Sequence, residues 1–172
     1  MYRILIVLSL AAAMGCGSSA VSQELMVGGM APGFTLLDQN GVERSLSDYR
    51  GQQVLIYFYP KDFTSGCTTE ACSIRDNFGE YKTAGIVVLG ISGDSVESHK
   101  AFEQEHGLPF TLLADVGLAV ADSYGSSAMK MYAKRHSFLV SADGKLLAIL
   151  RDVNPAAHSD RVLALFAQGE TE

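Results

Sequence analysis

Two cysteines, Cys67 and Cys72, stand five residues apart in a stretch that changes character midway. Residues 54–59 form a continuous apolar, β-prone run. Pro60 breaks it, Thr64-Ser65-Gly66 provides a turn, and Ala71, Ile74, Phe78 and Tyr81 then recur at spacings of three and four. That periodicity predicts one face of a helix. Cys67 therefore falls where a buried strand hands over to the first turn of a helix. Free amide groups and the positive end of the helix dipole stabilise a thiolate there, and the thiolate is the nucleophilic form of cysteine. Thr64, three residues earlier, is placed to cap the helix with its hydroxyl on a backbone amide near Cys67. Pro60 has no amide to donate, so its contribution to a site is shape.

Cys72 lies on the same predicted helix. Five residues of α-helix rise about 7.5 Å and rotate about 140°. A disulfide needs Cα atoms within about 7 Å. The two thiols cannot join while that helix is intact.

The order Pro60-x-x-x-Thr64-x-x-Cys67 resembles the active-site signature of the peroxiredoxins. Cys72 resembles the helix-borne resolving cysteine of their Q-type, or bacterioferritin-comigratory, subgroup. Further matches run along the chain from residue 28 to about residue 167. They include Gly41, Gly51, Ile91-Ser92-x-Asp94-Ser95, Leu112-Leu113-x-Asp115, Arg135-x-Ser137-Phe138 and Asp143-Gly144. The resemblance implies a thioredoxin-like fold of the peroxiredoxin variety, and a thiol peroxidase acting on hydrogen peroxide and organic hydroperoxides. It assigns Cys67 as the nucleophile that becomes a sulfenic acid. Cys72 becomes the thiol that resolves it as a Cys67–Cys72 disulfide, and thioredoxin or a thioredoxin-like protein the reductant. It also brings Arg135 to the thiolate, and it finds Glu70 and Arg75 recurring around the helix. Glu70 suits the dipole simply as a helix-stabilising acid. Lys134 stands where the pattern has a glycine.

The elements that must position these residues can be read in order. Asn40-Gly41 predicts a hairpin between residues 34–37 and 42–45, and residues 46–49 a short helical turn. Residues 54–59 predict a central strand buried on both faces. The Cys67 helix is expected to run to about Ala84, with Gly85 as its stop. Residues 86–91 predict the second core strand and residues 96–106 a helix capped through Ser92-Gly93-Asp94-Ser95. A short strand at 110–114 and a brief helix within 115–124 follow. Ala142-Asp143-Gly144 joins two strands, 137–140 and 146–150, and Asn154-Pro155 starts a last helix with Val162, Leu163, Leu165 and Phe166 on its core side. The alternation predicts an α/β domain: a central mixed β-sheet flanked by helices on both sides, with an N-terminal β-hairpin added.

The N-terminus has a different purpose. Arg3 precedes about eleven apolar or small residues, the layout of a secretory signal peptide and too short a run for a permanent span. Gly15-Cys16 resembles the processing site of bacterial lipoproteins, although Ala13 and Met14 depart from the usual residues before it. The expected organisation is a signal peptide at 1–15, a flexible tether at 16–27 lipidated at Cys16, and the folded domain at 28–168. Cleavage after Ala20 is the competing reading, and a buried N-terminal helix a third. The expected location is outside the cytoplasm, membrane-anchored and facing the periplasm, or soluble and exported in the competing case.

The chain has 172 residues with 48% hydrophobic and 19% charged, a globular composition. Its net charge of −6 and lack of a basic patch exclude nucleic acid as an expected partner. His99, His106, His136 and His158 show no ligand spacing and are read as surface or capping residues, so no metal or cofactor is expected. Met129, Met131 and Tyr132 are read as packing residues that could also line a pocket. An intramolecular disulfide needs no second subunit, and a monomer is expected. Two other functions compete. A thioredoxin-fold copper carrier wants Cys-x-x-x-Cys, and a general thiol–disulfide oxidoreductase wants Cys-x-x-Cys; the spacing here is Cys-x-x-x-x-Cys.

Overall fold

The computed structural model describes residues 24–151 and 153–169. The expected signal peptide, Cys16 and most of the expected tether lie outside the described residues.

The first strands form a hairpin, β1 (Thr35–Asp38) and β2 (Glu43–Ser45), turned at Gly41 with φ +75°. A 3₁₀ turn (Leu46–Tyr49) leads into β3 (Gln53–Phe58). Then come α1 (Ser65–Asp76), α2 (Phe78–Thr83), β4 (Ile86–Ser92), α3 (Val96–His106), β5 (Thr111–Ala114) and α4 (Ala119–Ser123). A small hairpin, β6 (Ser127–Ala128) and β7 (Tyr132–Ala133), precedes β8 (His136–Val140) and β9 (Leu146–Leu150). A 3₁₀ turn (Pro155–Ala157) opens α5 (His158–Gly169).

Seven strands form one mixed sheet in the order β2-β1-β5-β4-β3-β8-β9. β4 runs parallel to β3 and β5, and β8 is antiparallel to β3. β3 is thus interior, as its continuous apolar run predicts. Its side chains alternate between two cores. Leu55, Tyr57 and Tyr59 pack with Cys67, Ala71 and Ile74 of α1, Phe102 of α3 and Val162 and Phe166 of α5. Val54, Ile56 and Phe58 pack on the other face with Ala121 of α4, Tyr124 and Phe138. Helices therefore cover both faces, as expected. Gly90 of β4 has no room for a side chain: a Cβ there would stand 2.7 Å from the Tyr57 ring, a close approach that only glycine tolerates in a strand interior.

The helix expected to run unbroken to Ala84 is two helices. Asn77 leaves helical geometry at φ −98° and ψ 9°. Its side-chain amide donates to Ser159 Oγ at 3.1 Å, at the start of α5. A tertiary hydrogen bond outweighs local propensity here. Gly85 does stop α2, at φ +68°. The β6–β7 hairpin carries no sequence signal of its own; two residues a strand is too short for a period to show.

Candidate active site

The site forms where β3 ends. The β3–β8 register sets Phe58 opposite His136 and Tyr57 opposite Ser137. Arg135, the residue before β8, is thereby delivered to the end of β3, where the chain turns into α1. Cys67 is the third residue of α1 and is 2% exposed. Arg135 Nη2 donates to Cys67 Sγ at 3.3 Å, across 68 residues of sequence. Its other terminal nitrogen, Nη1, donates to Glu70 Oε2. Gly66 makes this passage possible, because a Cβ there would approach Arg135 Nη2 to 3.2 Å. Burial works against the Arg135 charge, but Glu70 and the Cys67 sulfur more than offset it and raise its pKa above the ordinary value. A permanent cation is thus held beside the sulfur.

Glu70 is wholly buried. It is the acid of an ion pair, not a surface carboxylate tuned to the helix dipole. Its second oxygen, Oε1, lies 3.1 Å from Nδ1 of His158, whose side chain is also fully buried. Arg75, in contrast, points away from the sulfur: its Nη1 donates to the carbonyl of His106 at 2.7 Å, tying α1 to the end of α3.

Thr64 is the N-cap residue of α1, but its side chain does not cap. Its exposed hydroxyl donates backwards to the carbonyl of Lys61 at 2.9 Å, closing the loop on itself. That corrects the expected bond to an amide. Cys72 is half-buried and, like Cys67, free. Both lie within the continuous helix α1, so the separation that forbids a disulfide in an intact helix applies.

The loop between β3 and α1 is anchored from beneath. Asp62 accepts from Tyr59 Oη at 2.7 Å and Ser98 Oγ at 2.7 Å, and meets His99 Nδ1 at 2.9 Å. Its own amide donates to Asp94 at 2.9 Å. Burial pushes the Asp62 carboxyl up, but the bonds and charge of His99, with Ser98 and Tyr59, hold it below its ordinary value. Phe63, next in the loop, adopts φ +61° and lays its ring against Phe102, centroids 5.2 Å apart. Beside Pro60 opens a cleft of about 560 Å³, with Leu118, Met131 and Tyr132 as apolar wall and Lys61 and Lys130 at its edge.

Three histidines read as surface residues are buried: His99 and His158 are almost wholly enclosed, and His136 is 8% exposed. Burial, with Arg151 and Lys134 nearby, pushes the His136 pKa down to about 4. A helical signal for two of them was present. His158 precedes Val162 and Phe166 at steps of four, and His99 precedes Phe102 by three, so each falls on its helix's apolar stripe. Met129 and Met131 are not packing residues; they are 86% and 73% exposed.

A thioredoxin-like sheet with a cysteine at the head of its first helix and an arginine on the sulfur is the arrangement of a thiol peroxidase. The AhpC/TSA family model matches residues 27–149. Peroxiredoxin Bcp of Escherichia coli (strain K12) is 43% identical over 146 residues, covering 81% of this chain and 94% of that one. Among solved structures, Peroxidoxin BcpB from Mycobacterium tuberculosis superposes with a TM-score of 0.78 at 31% identity, covering 84% of this chain and 97% of that one. The Xanthomonas campestris bacterioferritin comigratory protein, whose alkyl peroxide reduction was captured in trapped intermediate and ligand complexes, gives 0.74 at 33%, covering 79% and 91%. The chain belongs to the AhpC/TSA family and, within it, to the peroxiredoxins of the Bcp and Q type. Its activity is that of a peroxiredoxin rather than of a copper carrier or general oxidoreductase.

Proposed function

We propose that Cys67 is the peroxidatic nucleophile and that the observation carrying this reading is the Arg135 guanidinium 3.3 Å from its sulfur, at the head of α1. The thiolate attacks the terminal oxygen of a hydroperoxide. The O–O bond breaks, Cys67 becomes a sulfenic acid, and hydroxide or an alkoxide leaves and is protonated by solvent. Arg135 lies where it can hold the peroxide oxygens in line with the sulfur. In this reading Pro60 shields the sulfur from bulk water by its shape, and Thr64 exchanges its bond to the Lys61 carbonyl for one to the incoming peroxide.

Cys72 then attacks the sulfenic sulfur, releasing water and closing the Cys67–Cys72 disulfide. For this the first turns of α1 unwind in each cycle. A thioredoxin-like protein supplies the two electrons that reopen the bond. The Cys72→Ser variant is expected to form the Cys67 sulfenic acid with one equivalent of peroxide, trappable with dimedone, and to stop there. Continued turnover with the thioredoxin couple, or no trappable sulfenate, would overturn the assignment of Cys72.

The same reading places the protein outside the cytoplasm as a monomer, with signal peptide 1–15 removed and tether 16–27 anchored through lipidated Cys16. What supports it is the charge-then-apolar layout of the first 14 residues followed by Gly15-Cys16. The expected mature N-terminus is a lipidated Cys16 by mass spectrometry. An unmodified terminus at Val21 would replace the lipoprotein with a soluble exported enzyme.

A further inference from the structure

We propose that His158 is a positioning residue for the peroxidase reaction: by holding one oxygen of Glu70 it keeps Arg135 divided between Glu70 and the Cys67 sulfur. The inference rests on the reading of Cys67 as the nucleophile, and it concerns how the arginine is aimed.

The argument starts from Glu70. A carboxylate with no solvent contact must be compensated on both oxygens, because an unpaired buried charge is expensive. Oε2 takes Nη1 of Arg135. Oε1 has His158 Nδ1 at 3.1 Å, and neither atom makes a hydrogen bond among the described residues. The two buried atoms face each other. On the far side of the ring, His158 Nε2 lies 2.8 Å from Ser137 Oγ. A carboxylate oxygen only accepts, so the ring proton belongs on Nδ1. The Ser137 hydroxyl can either donate to Nε2 or accept from it, and so suits both the neutral and the charged ring without disturbing Nδ1.

The consequence falls on Arg135. A guanidinium beside a carboxylate prefers the two-bond fork, with two nitrogens on two oxygens. With the His158 Nδ1 hydrogen beside it, Oε1 has a polar neighbour of its own and does not have to draw in the second arginine nitrogen. One nitrogen goes to Glu70 Oε2, and Nη2 is left for the sulfur. Removing the donor on Oε1 invites Arg135 to close onto Glu70 and abandon Cys67.

The other titratable groups around His158 are few. Tyr57 of β3 stands ring to ring at 5.9 Å, with its phenol pushed well above its ordinary value by burial and by Glu70. Tyr81 of α2 bonds the neighbouring Ser159 and is raised to about 12, chiefly by burial. Asp160 and Arg161 follow on α5 itself. Cys67 completes the set through Arg135.

Two substitutions separate positioning from packing. His158→Asn puts an amide donor where Nδ1 stands. His158→Gln puts its donor where Nε2 stands and leaves Oε1 bare. In full-length protein carrying Cys72→Ser, with Cys67 modification followed by peptide mass spectrometry, His158→Gln is expected to slow both peroxide oxidation and iodoacetamide alkylation of Cys67 by about 10- to 100-fold. It should also move the alkylation profile to higher pH. His158→Asn should restore most of both rates at an unchanged pH profile. Equal behaviour of the two variants, whether both as wild type or both equally impaired, would overturn the proposal. Alkylation reads the positioning independently of peroxide chemistry. If the variants separate in alkylation while wild type fails to react with peroxide, the positioning stands and the nucleophile reading falls.

Discussion

Cys67→Ser is expected to abolish peroxide turnover, with a loss of at least about 10⁴-fold. The chemistry needs an anion that is also easily oxidised. A serine hydroxyl is not ionised at neutral pH and has no counterpart of the sulfenic acid, so the reaction loses both its nucleophile and its intermediate. The surroundings should survive the change. Arg135 keeps its bond to Glu70, and the serine oxygen is smaller than the sulfur it replaces. The thermal midpoint should therefore move by no more than a few degrees. The measurement is hydrogen peroxide consumption coupled to a thioredoxin system, alongside a melting curve. Turnover above about one per cent of wild type in a folded variant would rule out Cys67 as the nucleophile.

The second large effect is on stability. Asp62→Ala is expected to destabilise the domain by about 3–5 kcal/mol. His99 lies with Nε2 3.1 Å from the Leu113 carbonyl and Nδ1 2.9 Å from Asp62. Both neighbours are acceptors, and the ring and the carboxylate are both almost wholly buried. Removing the carboxylate strands Nδ1, Tyr59 Oη and Ser98 Oγ together. It also frees the loop that carries Pro60 and Thr64. Replacing both members, Asp62→Leu with His99→Leu, should cost clearly less than the sum of the single changes, since no buried charge is then left alone. Urea denaturation of the three variants measures this. A loss below about 1 kcal/mol for Asp62→Ala would show that the pair contributes little to the fold.

Much of the site's backbone was legible in the chain itself. Apolar run, proline break, turn and helical period are local patterns, and they set Cys67 on the first turn of a helix. The hairpin glycine Gly41, the 96–106 helix and the interior strand were read from the same kind of short-range regularity. The patterns failed where a distant partner decided the outcome. Asn77 ends α1 because Ser159 accepts its amide. Thr64 turns its hydroxyl to Lys61 instead of capping. His99 and His158 were misread because a polar residue on an apolar stripe declares its place but not the partner that makes burial tolerable.

The cysteine and its helix start were thus determined by sequence alone, because strand and helix formation depend on residues within a turn or two of each other. The arrangement around the sulfur was decided only by the tertiary structure. Register between β3 and β8 brings Arg135 across 68 residues to Cys67. The docking of α5 then brings His158 to Glu70. Those contacts follow from which strand pairs with which and how the helices pack on the sheet, and no local period encodes either.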